Sequence, residues 1–366
     1  MTLKMTSPMA VHNKVSNKKH NSIKRRILIN PPFLLYYFYM SIKEDKLGVF
    51  IIPTGIGASV GGYAGDAAAV AREFSKYAKL IVNPNVVNAG GFSGINDNML
   101  YVEGYSLDNF MKGNIYLQPV NIPNKIGVVF DKDIPDDVLN VHINTMHAVK
   151  TVYGTNILGY EITSKSIGID FSLNKSGISD GSVKNPEVIL EASKKLLKKG
   201  CNTIGIVGMF DDPETLNEGY ADGVGTDPVG GVEAILSHYI SKYLKVPCAH
   251  SPAFRDYQIY PDIVSPKSAA EYITPTFLPC ILLGLSGAPQ LSENCGLSVK
   301  DVDFLIMPYD CLGNPAVLGA ISKGIKVFSV KENSTALNIT AETLGISDRI
   351  TTVDSYQECL SIIKNL

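Results

Sequence analysis

The sequence predicts an α/β protein in which a mostly parallel sheet, or two such sheets, is covered by helices on both faces. Short, continuously apolar segments typical of buried parallel strands alternate along the chain with amphipathic helical patterns. Polar or glycine-rich loops follow several of the predicted strands, where open α/β sheets place their ligands. The composition, 45% hydrophobic and 19% charged in 366 residues, is that of a folded globular protein. Two Rossmann-like halves are one arrangement that this pattern allows.

The predicted elements begin near residue 47 and alternate to the C-terminus. The apolar segment 47–53 predicts a first strand, and segment 67–77 predicts a helix after the first glycine-rich loop. Pro186 and Gly200 mark the start and the end of a strongly periodic helix. The other predicted strands are 79–82, 125–130, 157–163, 203–209, 246–250, 302–307 and 326–330, and the other predicted helices are 136–153, 231–244, 314–323 and 341–345.

The chain divides into three predicted regions. Residues 1–43 contain eight Lys and Arg residues and no acid, whereas the other 25 basic residues are outnumbered by 35 acidic ones, a formal charge near −10. We interpret residues 1–45 as a disordered extension or a mis-assigned start, because two consecutive prolines break the apolar stretch and no small-x-small cleavage site follows. Residues 46–170 are predicted as an N-terminal α/β half and residues 171–366 as a C-terminal half, with one glycine-rich loop in each. The boundary is expected in the polar stretch 165–185.

The composition also argues against several classes of partner. An acidic body lacks the clustered Lys and Arg residues of a nucleic-acid-binding face, and the apolar segments are too short to span a membrane.

Six cysteines are scattered without a C-x-x-C motif, which favours reduced thiols and a cytoplasmic location. The plastid stroma is the alternative location if the basic extension is a transit peptide. A homodimer is the default expectation.

Two glycine-rich loops with nearly the same pattern predict the ligand site. Residues 53–66 and 222–233 each contain Gly-x-Gly and then a Gly-Gly pair, and each leads into a helical segment. Such loops let the backbone approach a ligand, and the start of the helix offers unpaired N–H groups to an anion. The first loop is not a dinucleotide fingerprint, since Val60 occupies the third glycine position, and it lacks the Gly-Lys of a P-loop. Tight turns and close packing are the alternative interpretation.

The predicted ligand-binding residues are residues of these loops and asparagines that follow predicted strands. Asparagine amides orient carboxylate or hydroxyl groups, but they also favour turns and helix caps. The loop residues are Thr54, Gly55, Gly57, Gly61, Gly62, Gly223, Gly225, Thr226, Gly230 and Gly231, and the asparagines are Asn85, Asn88, Asn314 and Asn333.

Four residues are candidates for acid–base catalysis, each with a structural alternative. Asp66 precedes a helix, where a carboxylate also stabilises the N-terminal dipole. Asp227 and Glu233 lie six residues apart on the second loop and in the first turn of its helix, where they fit an acid and base or two capping groups. His250 is the most credible proton carrier among the six histidines. We predict no metal ligands; the cofactor stays open, with Mg²⁺ the candidate ion because the second loop is acidic.

These residues favour an enzyme that acts on a small anionic metabolite, phosphorylated or a carboxylate, bound between the two loops. Isomerisation, lyase chemistry and group transfer all stay open. The alternative is a two-lobed metabolite-binding or regulatory protein without turnover. A weaker alternative is a racemase or isomerase that uses Cys280 and Cys311 on opposite sides of its substrate, which requires both thiols to line one cleft.

Four segments resemble an uncharacterised conserved family that is catalogued as a domain of unknown function. They are residues 48–66, 83–90, 223–235 and 331–345, and the resemblance covers roughly residues 47–366. It implies a soluble bacterial or plastid protein of this length without the first 40 or so residues. It implies no activity and assigns no catalytic residue.

Overall fold

The computed structural model describes residues 46–211 and 219–366. The strands in these residues are β1 (Leu47–Phe50), β2 (Lys79–Val82), β3 (Asn88–Ala89), β4 (Phe92–Ser93), β5 (Met99–Tyr101), β6 (Tyr116–Gln118), β7 (Ile126–Phe130), β8 (Ile157–Ile162), β9 (Ile169–Leu173), β10 (Ser179–Val183), β11 (Thr203–Met209), β12 (Cys248–Ala253), β13 (Gln290–Ser292), β14 (Phe304–Pro308), β15 (Lys326–Val330) and β16 (Ile350–Val353). The α-helices are α1 (Ala68–Phe74), α2 (Pro84–Val87), α3 (Gly104–Lys112), α4 (Asp136–Tyr153), α5 (Pro186–Lys198), α6 (Gly230–Leu244), α7 (Ala269–Tyr272), α8 (Leu278–Gly287), α9 (Pro315–Ser322) and α10 (Tyr356–Lys364).

Six parallel strands form the larger sheet, in the order β16-β15-β14-β1-β2-β5. β1 lies inside this sheet, where Phe50 is in register with Ile306 of β14 and with Val82 of β2. Every residue of β1 and β14 is buried, as expected for parallel strands whose two faces are both covered. The first glycine-rich loop leaves this sheet at the carboxyl end of β1.

Four parallel strands form the second sheet, in the order β12-β11-β7-β8. β11 is buried along its whole length, and Val207 is in register with Phe130 of β7 and with Ser251 of β12. The second glycine-rich loop follows β11 and leads into α6. This loop and the first therefore both follow the carboxyl ends of parallel strands.

The apolar helix α8 packs between strands of the two sheets. A Cβ built on Gly284 would lie 2.6 Å from the ring of Tyr101 in β5, so this helix and the larger sheet meet at close range. Towards the second sheet, Ile281 Cδ1 lies 3.6 Å from the position of a Cβ on Gly205 in β11. α8 is a helix of the protein core. No helix in the part of the chain that the structure describes has the length and apolar character needed to cross a membrane.

The α/β class, the parallel sheets and the flanking helices predicted from the sequence are confirmed. Two local predictions are wrong. Residues 341–345 form a turn and not a helix. The polar stretch 165–185, predicted as a loop, contains the antiparallel hairpin β9–β10, whose β9 residues alternate between half-buried and exposed. Such a hairpin buries only part of one face, so it lacks the continuous apolar pattern of the other strands.

The sheets divide the chain differently from the two predicted halves. The six-stranded sheet takes its strands from residues 47–101 and 304–353, and the four-stranded sheet takes its strands from residues 126–253. The predicted boundary between residues 170 and 171 falls inside β9. The predicted extension 1–45 lies outside the described residues.

Candidate functional site

A cavity of about 460 Å³ lies where the carboxyl ends of strands from both sheets meet. This is within the range of small-molecule sites, and strand ends are where open α/β sheets place them. Five segments follow predicted strands at this edge, and four of them contribute to the wall: the two glycine-rich loops, the asparagine segment 83–88 after β2 and the end of β12. The fifth segment, 309–314, is not part of the wall.

The two glycine-rich loops pack directly against each other beside the cavity. A Cβ built on Gly57 would lie 2.6 Å from Thr226 Oγ1, and one built on Gly230 would lie 2.6 Å from Thr54 Cγ2. Ser179 of β10 joins the loops, because its amide donates to the Gly55 carbonyl at 2.8 Å and its hydroxyl donates to the Pro228 carbonyl at 2.6 Å. Gly55, Gly57 and Gly230 therefore allow the two loops to pack against each other.

The wall of the cavity contains only some of the predicted ligand-binding residues. Gly62 is the glycine of the predicted set that lines it. The predicted residues in the wall are Thr54, Gly62, Asn85, Asn88, Asp227, Glu233 and His250, and the predicted residues outside it are Gly55, Gly57, Gly61, Asp66, Gly223, Gly225, Thr226, Gly230, Gly231, Asn314 and Asn333.

Glu233, in the first turn of α6, is the least compensated polar group of the wall. Its side chain is 6% exposed, and its Oε1 atom has no hydrogen-bond partner among the described residues. Burial raises the pKa of Glu233 well above its usual range, and the charges of Asp227 and Glu271 raise it further. Glu233 therefore holds its proton more strongly than an exposed glutamate does.

Asp227 and Glu271 place two more carboxyl groups in the same wall. Asp227 Oδ1 accepts the Val229 amide at 3.0 Å, and burial raises the pKa of Asp227. Glu271 Oε1 accepts the Ala64 amide at 2.5 Å and the Tyr220 hydroxyl at 3.1 Å. Burial and the charge of Asp227 raise the pKa of Glu271 to about 8.

Glu271 could not be recognised as a site residue from the sequence. It lies on the four-residue helix α7, outside any motif, and only the fold brings it beside the first glycine-rich loop.

His250 projects from β12 as a neutral hydrogen-bonding group. Its Nδ1 lies 2.9 Å from the Ser237 hydroxyl of α6, so Nε2 is the ring nitrogen left for a ligand. Burial, and after it the charge of the nearby His238, lowers the pKa of His250 to about 3. The imidazole can donate or accept a hydrogen bond at neutral pH but carries no charge there.

Asp66 holds the first loop in shape from outside the wall. Its Oδ1 accepts the Gly61 amide at 2.8 Å. Burial raises the pKa of Asp66 to about 6, although hydrogen bonds from the backbone and the positive charge of Lys267 oppose that rise. The contacts of Asp66 are those of a structural residue.

The predicted asparagines mainly bind other parts of the protein. Asn85 Nδ2 donates to the Gly61 carbonyl at 2.7 Å, and Asn88 Oδ1 accepts the Tyr101 hydroxyl at 3.1 Å. Asn314 caps α9, where its Oδ1 accepts the Val317 amide at 3.0 Å. Asn333 is fully buried and bonds the first loop to the C-terminal helix.

Six aromatic side chains and one further carboxyl group, Asp256, also line the cavity, a feature that the sequence did not indicate. Within residues 46–211 and 219–366, no Lys or Arg lines the cavity. Its aromatic side chains are Tyr220, Phe254, Tyr257, Tyr260, Tyr272 and Phe277. No group of three or more His, Cys, Asp or Glu side chains within 46–211 and 219–366 has the arrangement of a metal site.

The two cysteines of the racemase hypothesis lie in different places. Cys280, near the start of α8, lines the cavity, whereas Cys311 is buried outside it. Cys311 Sγ lies 3.7 Å from the Pro308 carbonyl, at the end of β14. The described cavity therefore lacks the facing pair of thiols that this mechanism requires.

The fold and the cavity define an α/β protein of parallel sheets with a carboxyl-lined cavity at its strand ends. Residues 47–366 match the family described as Protein of unknown function (DUF3326), and the chain belongs to this family. This confirms the resemblance and its predicted extent. The chain is similar to an uncharacterised lipoprotein of Synechococcus sp., with 38% identity over 306 residues that cover 81% of this chain and 85% of that protein. No solved structure matches the chain.

Proposed function

We propose that the protein is an enzyme that acts on a small metabolite held in the 460 Å³ cavity, with Glu233 as a proton donor or acceptor. The observation that supports this proposal is that the Glu233 side chain is buried and that its Oε1 atom has no hydrogen-bond partner among the described residues. A buried carboxyl group with an unpartnered oxygen destabilises a fold, and such groups concentrate at functional sites.

The neighbours of Glu233 fit acid–base chemistry. Asp227 and Glu271 raise the pKa of Glu233, as neighbouring carboxyl groups do in enzymes that need a neutral acid near pH 7. His250 supplies a neutral imidazole that can orient a carbonyl or hydroxyl group of the substrate. Proton transfer of this kind serves isomerisation and elimination more directly than group transfer.

A non-catalytic metabolite-binding protein is the second candidate. Asp227 and Glu271 already accept backbone amides and so help to build the wall. A protonated Glu233 would then act only as a hydrogen-bond donor. In that case the wild type binds its ligand without consuming it, whereas in an enzyme Glu233→Gln abolishes proton transfer.

The expected anionic substrate stays a prediction that the charge of the wall does not favour. None of the described residues that line the cavity is Lys or Arg, so an anion would bind there through neutral donors beside several carboxyl groups. The proposed enzyme therefore does not depend on an anionic substrate.

We also propose a cytoplasmic location, supported by six cysteines that are all unpaired. The Synechococcus relative is named a lipoprotein, which points to a membrane-anchored alternative for that protein. Fractionation of cells without detergent tests the location. Recovery of the protein only with the membrane fraction would contradict it.

The activity is tested by incubating the full-length protein with a small-molecule extract of Synechococcus cells and following its components by mass spectrometry. We expect at least one compound to be consumed by the wild type and by Glu191→Gln, an exposed control on α5. Glu233→Gln should be folded, as shown by its melting temperature, and should lose at least a hundredfold in rate. Equal turnover by Glu233→Gln would exclude this residue as the proton carrier. Binding without consumption in the wild type would favour the second candidate.

A further inference from the structure

We propose that the ligand of this cavity is an organic cation, a molecule with an ammonium or quaternary nitrogen, bound between carboxyl groups and aromatic rings. The inference uses the same cavity as the proposed function and adds the class of substrate. It has its own tests, because cation binding is measured without turnover.

The charge of the wall is the first argument. Four carboxyl side chains line the cavity, contributed by the second glycine-rich loop, α6, the loop after β12, and α7: Asp227, Glu233, Asp256 and Glu271. No Lys or Arg side chain of the described wall offsets them. A positive ligand would be attracted by each of these four carboxyl groups in its ionised form.

The unpartnered oxygen of Glu233 is the second, independent argument. Glu233 lies in the wall, is more than nine-tenths buried and has an Oε1 without a hydrogen-bond partner among the described residues. The other two buried carboxyl groups, Asp227 and Glu271, each accept backbone amides. The acceptor capacity left over at Glu233 fits an N–H or N⁺ group of a ligand.

The aromatic rings are the third argument. Six of them line the same cavity, and they come from the loop before α6, from the segment after β12 and from the segment around α7. Tyr260 and Tyr272 meet edge to face, with ring centroids 5.2 Å apart. Rings that line a carboxyl-bearing cavity recognise ammonium groups through their negative faces.

Cation binding is expected to release protons. The titratable groups in the wall are Asp227, Glu233, His250, Asp256, Glu271, Cys280, Tyr220, Tyr257, Tyr260 and Tyr272. Burial raises the pKa of Glu271 to about 8, so this carboxyl group is mostly protonated at pH 7. A bound positive charge lowers the pKa of a neighbouring carboxyl group, and the proton leaves to solvent. Lys267, which lies 5.1 Å above the ring of Tyr63, is outside the wall.

The test measures how matched ligands, each at millimolar concentration, bind to the full-length protein. The sets are tyramine, tyrosol and hydroxyphenylacetate; cadaverine, pentanediol and glutarate; and choline with its neutral analogue dimethylbutanol. We expect the cation of at least one set to raise the melting temperature and to bind at least tenfold more tightly than its neutral and anionic counterparts. Calorimetry in phosphate and in Tris at pH 7 should then show proton release.

Two variants connect the binding to the wall. Glu233→Gln is expected to weaken cation binding at least tenfold, and Asp256→Asn, on the exposed loop after β12, is expected to weaken it severalfold. Glu191→Gln on α5 is the control and should bind like the wild type. Unchanged cation affinity in both wall variants would overturn the inference, as would tighter binding of a neutral or anionic compound or no binding of any cation.

The failures of the two proposals are distinguishable. If the compound consumed from the extract is an anion, the enzyme proposal stands and the cation inference fails. If cations bind and the binding depends on Glu233 and Asp256 as expected, but nothing is consumed, the cation inference stands and the enzyme proposal fails.

Discussion

Gly55 and Gly231 approach so closely that a Cβ built on Gly55 would lie 2.9 Å from the Gly231 amide nitrogen. The same Cβ would lie 2.7 Å from Ser179 Cβ, and Gly55 has a φ of +71°. A side chain is therefore excluded here both by the lack of space and by the left-handed backbone conformation. The contact fixes the two glycine-rich loops beside the cavity.

Gly55→Ala is expected to destabilise the protein by roughly 3 kcal/mol, because it combines backbone strain with a steric clash. Gly177→Ala is the matched control, since Gly177 has a φ of +72° and nothing lies within 4 Å of its Cβ position. We expect Gly177→Ala to lower the free energy of unfolding by only about 1 kcal/mol. Urea unfolding measures both values. Equal losses would mean that the loops move apart easily and that their contact does not shape the cavity.

Glu271 is expected to make stability fall as the pH rises. Its pKa is raised from 4.5 in the reference state to about 8 in the fold, chiefly by burial and then by the charge of Asp227. Between these values the folded protein holds a proton that the unfolded chain has lost. The stabilisation is therefore complete below about pH 4.5 and is lost as the pH rises through about 8.

Glu271→Gln removes this titration, and its amide oxygen can still accept the bonds from Ala64 and Tyr220. Between about pH 5 and about pH 8.5, the free energy of unfolding of the variant should rise relative to that of the wild type by on the order of 4 kcal/mol. Urea unfolding at both pH values, with Glu191→Gln as the control, measures the change. A difference that stays constant with pH would show that Glu271 is ionised in the folded protein at neutral pH.

Much of the fold could be predicted because its strands are buried on both faces. Continuous apolar runs such as those of β7 and β11 are visible in the sequence without any knowledge of their neighbours. The hairpin β9–β10 was missed because it buries only part of one face. The strand order was also out of reach, since β1 pairs with β14 through contacts more than 250 residues apart in the chain.

The candidate site was predictable in position but not in chemistry. Strand ends and glycine-rich loops indicated where the cavity lies, and they included Asp227, Glu233 and His250. Its chemistry also depends on Asp256, on Glu271 and on the aromatic side chains between residues 254 and 277, which belong to no motif. Only the folded chain shows that these groups share a wall without Lys or Arg.

The cysteines offer a direct test of the racemase alternative. Burial raises the pKa of the Cys280 thiol to about 12, and that of the Cys311 thiol is also strongly raised by burial. Cys295 is the exposed cysteine of the six. A thiol reagent at neutral pH should therefore label one cysteine quickly in the folded protein and all six after denaturation. Rapid labelling of Cys280, identified by peptide mass spectrometry, would restore it as a reactive residue.

Substitution of Asn333 tests whether this predicted ligand-binding residue has a structural role instead. Its Oδ1 accepts the Val60 amide at 3.0 Å, and its Nδ2 donates to the Val60 carbonyl at 2.8 Å and to the Tyr356 hydroxyl at 2.7 Å. All three bonds are lost in Asn333→Ala, and the groups left behind are largely buried. We expect a loss of roughly 3 kcal/mol in the free energy of unfolding.

Asn314→Ala is the matched comparison, because Asn314 bonds the Val317 amide as the cap of α9 and lies closer to solvent. Loss of this cap should cost about 1 kcal/mol. Neither variant should change the affinity of a cavity ligand by more than about twofold once the folded fraction is taken into account, since neither residue lies in the wall. A large loss of affinity in Asn333→Ala with little loss of stability would return this residue to the ligand-binding set that the sequence predicted.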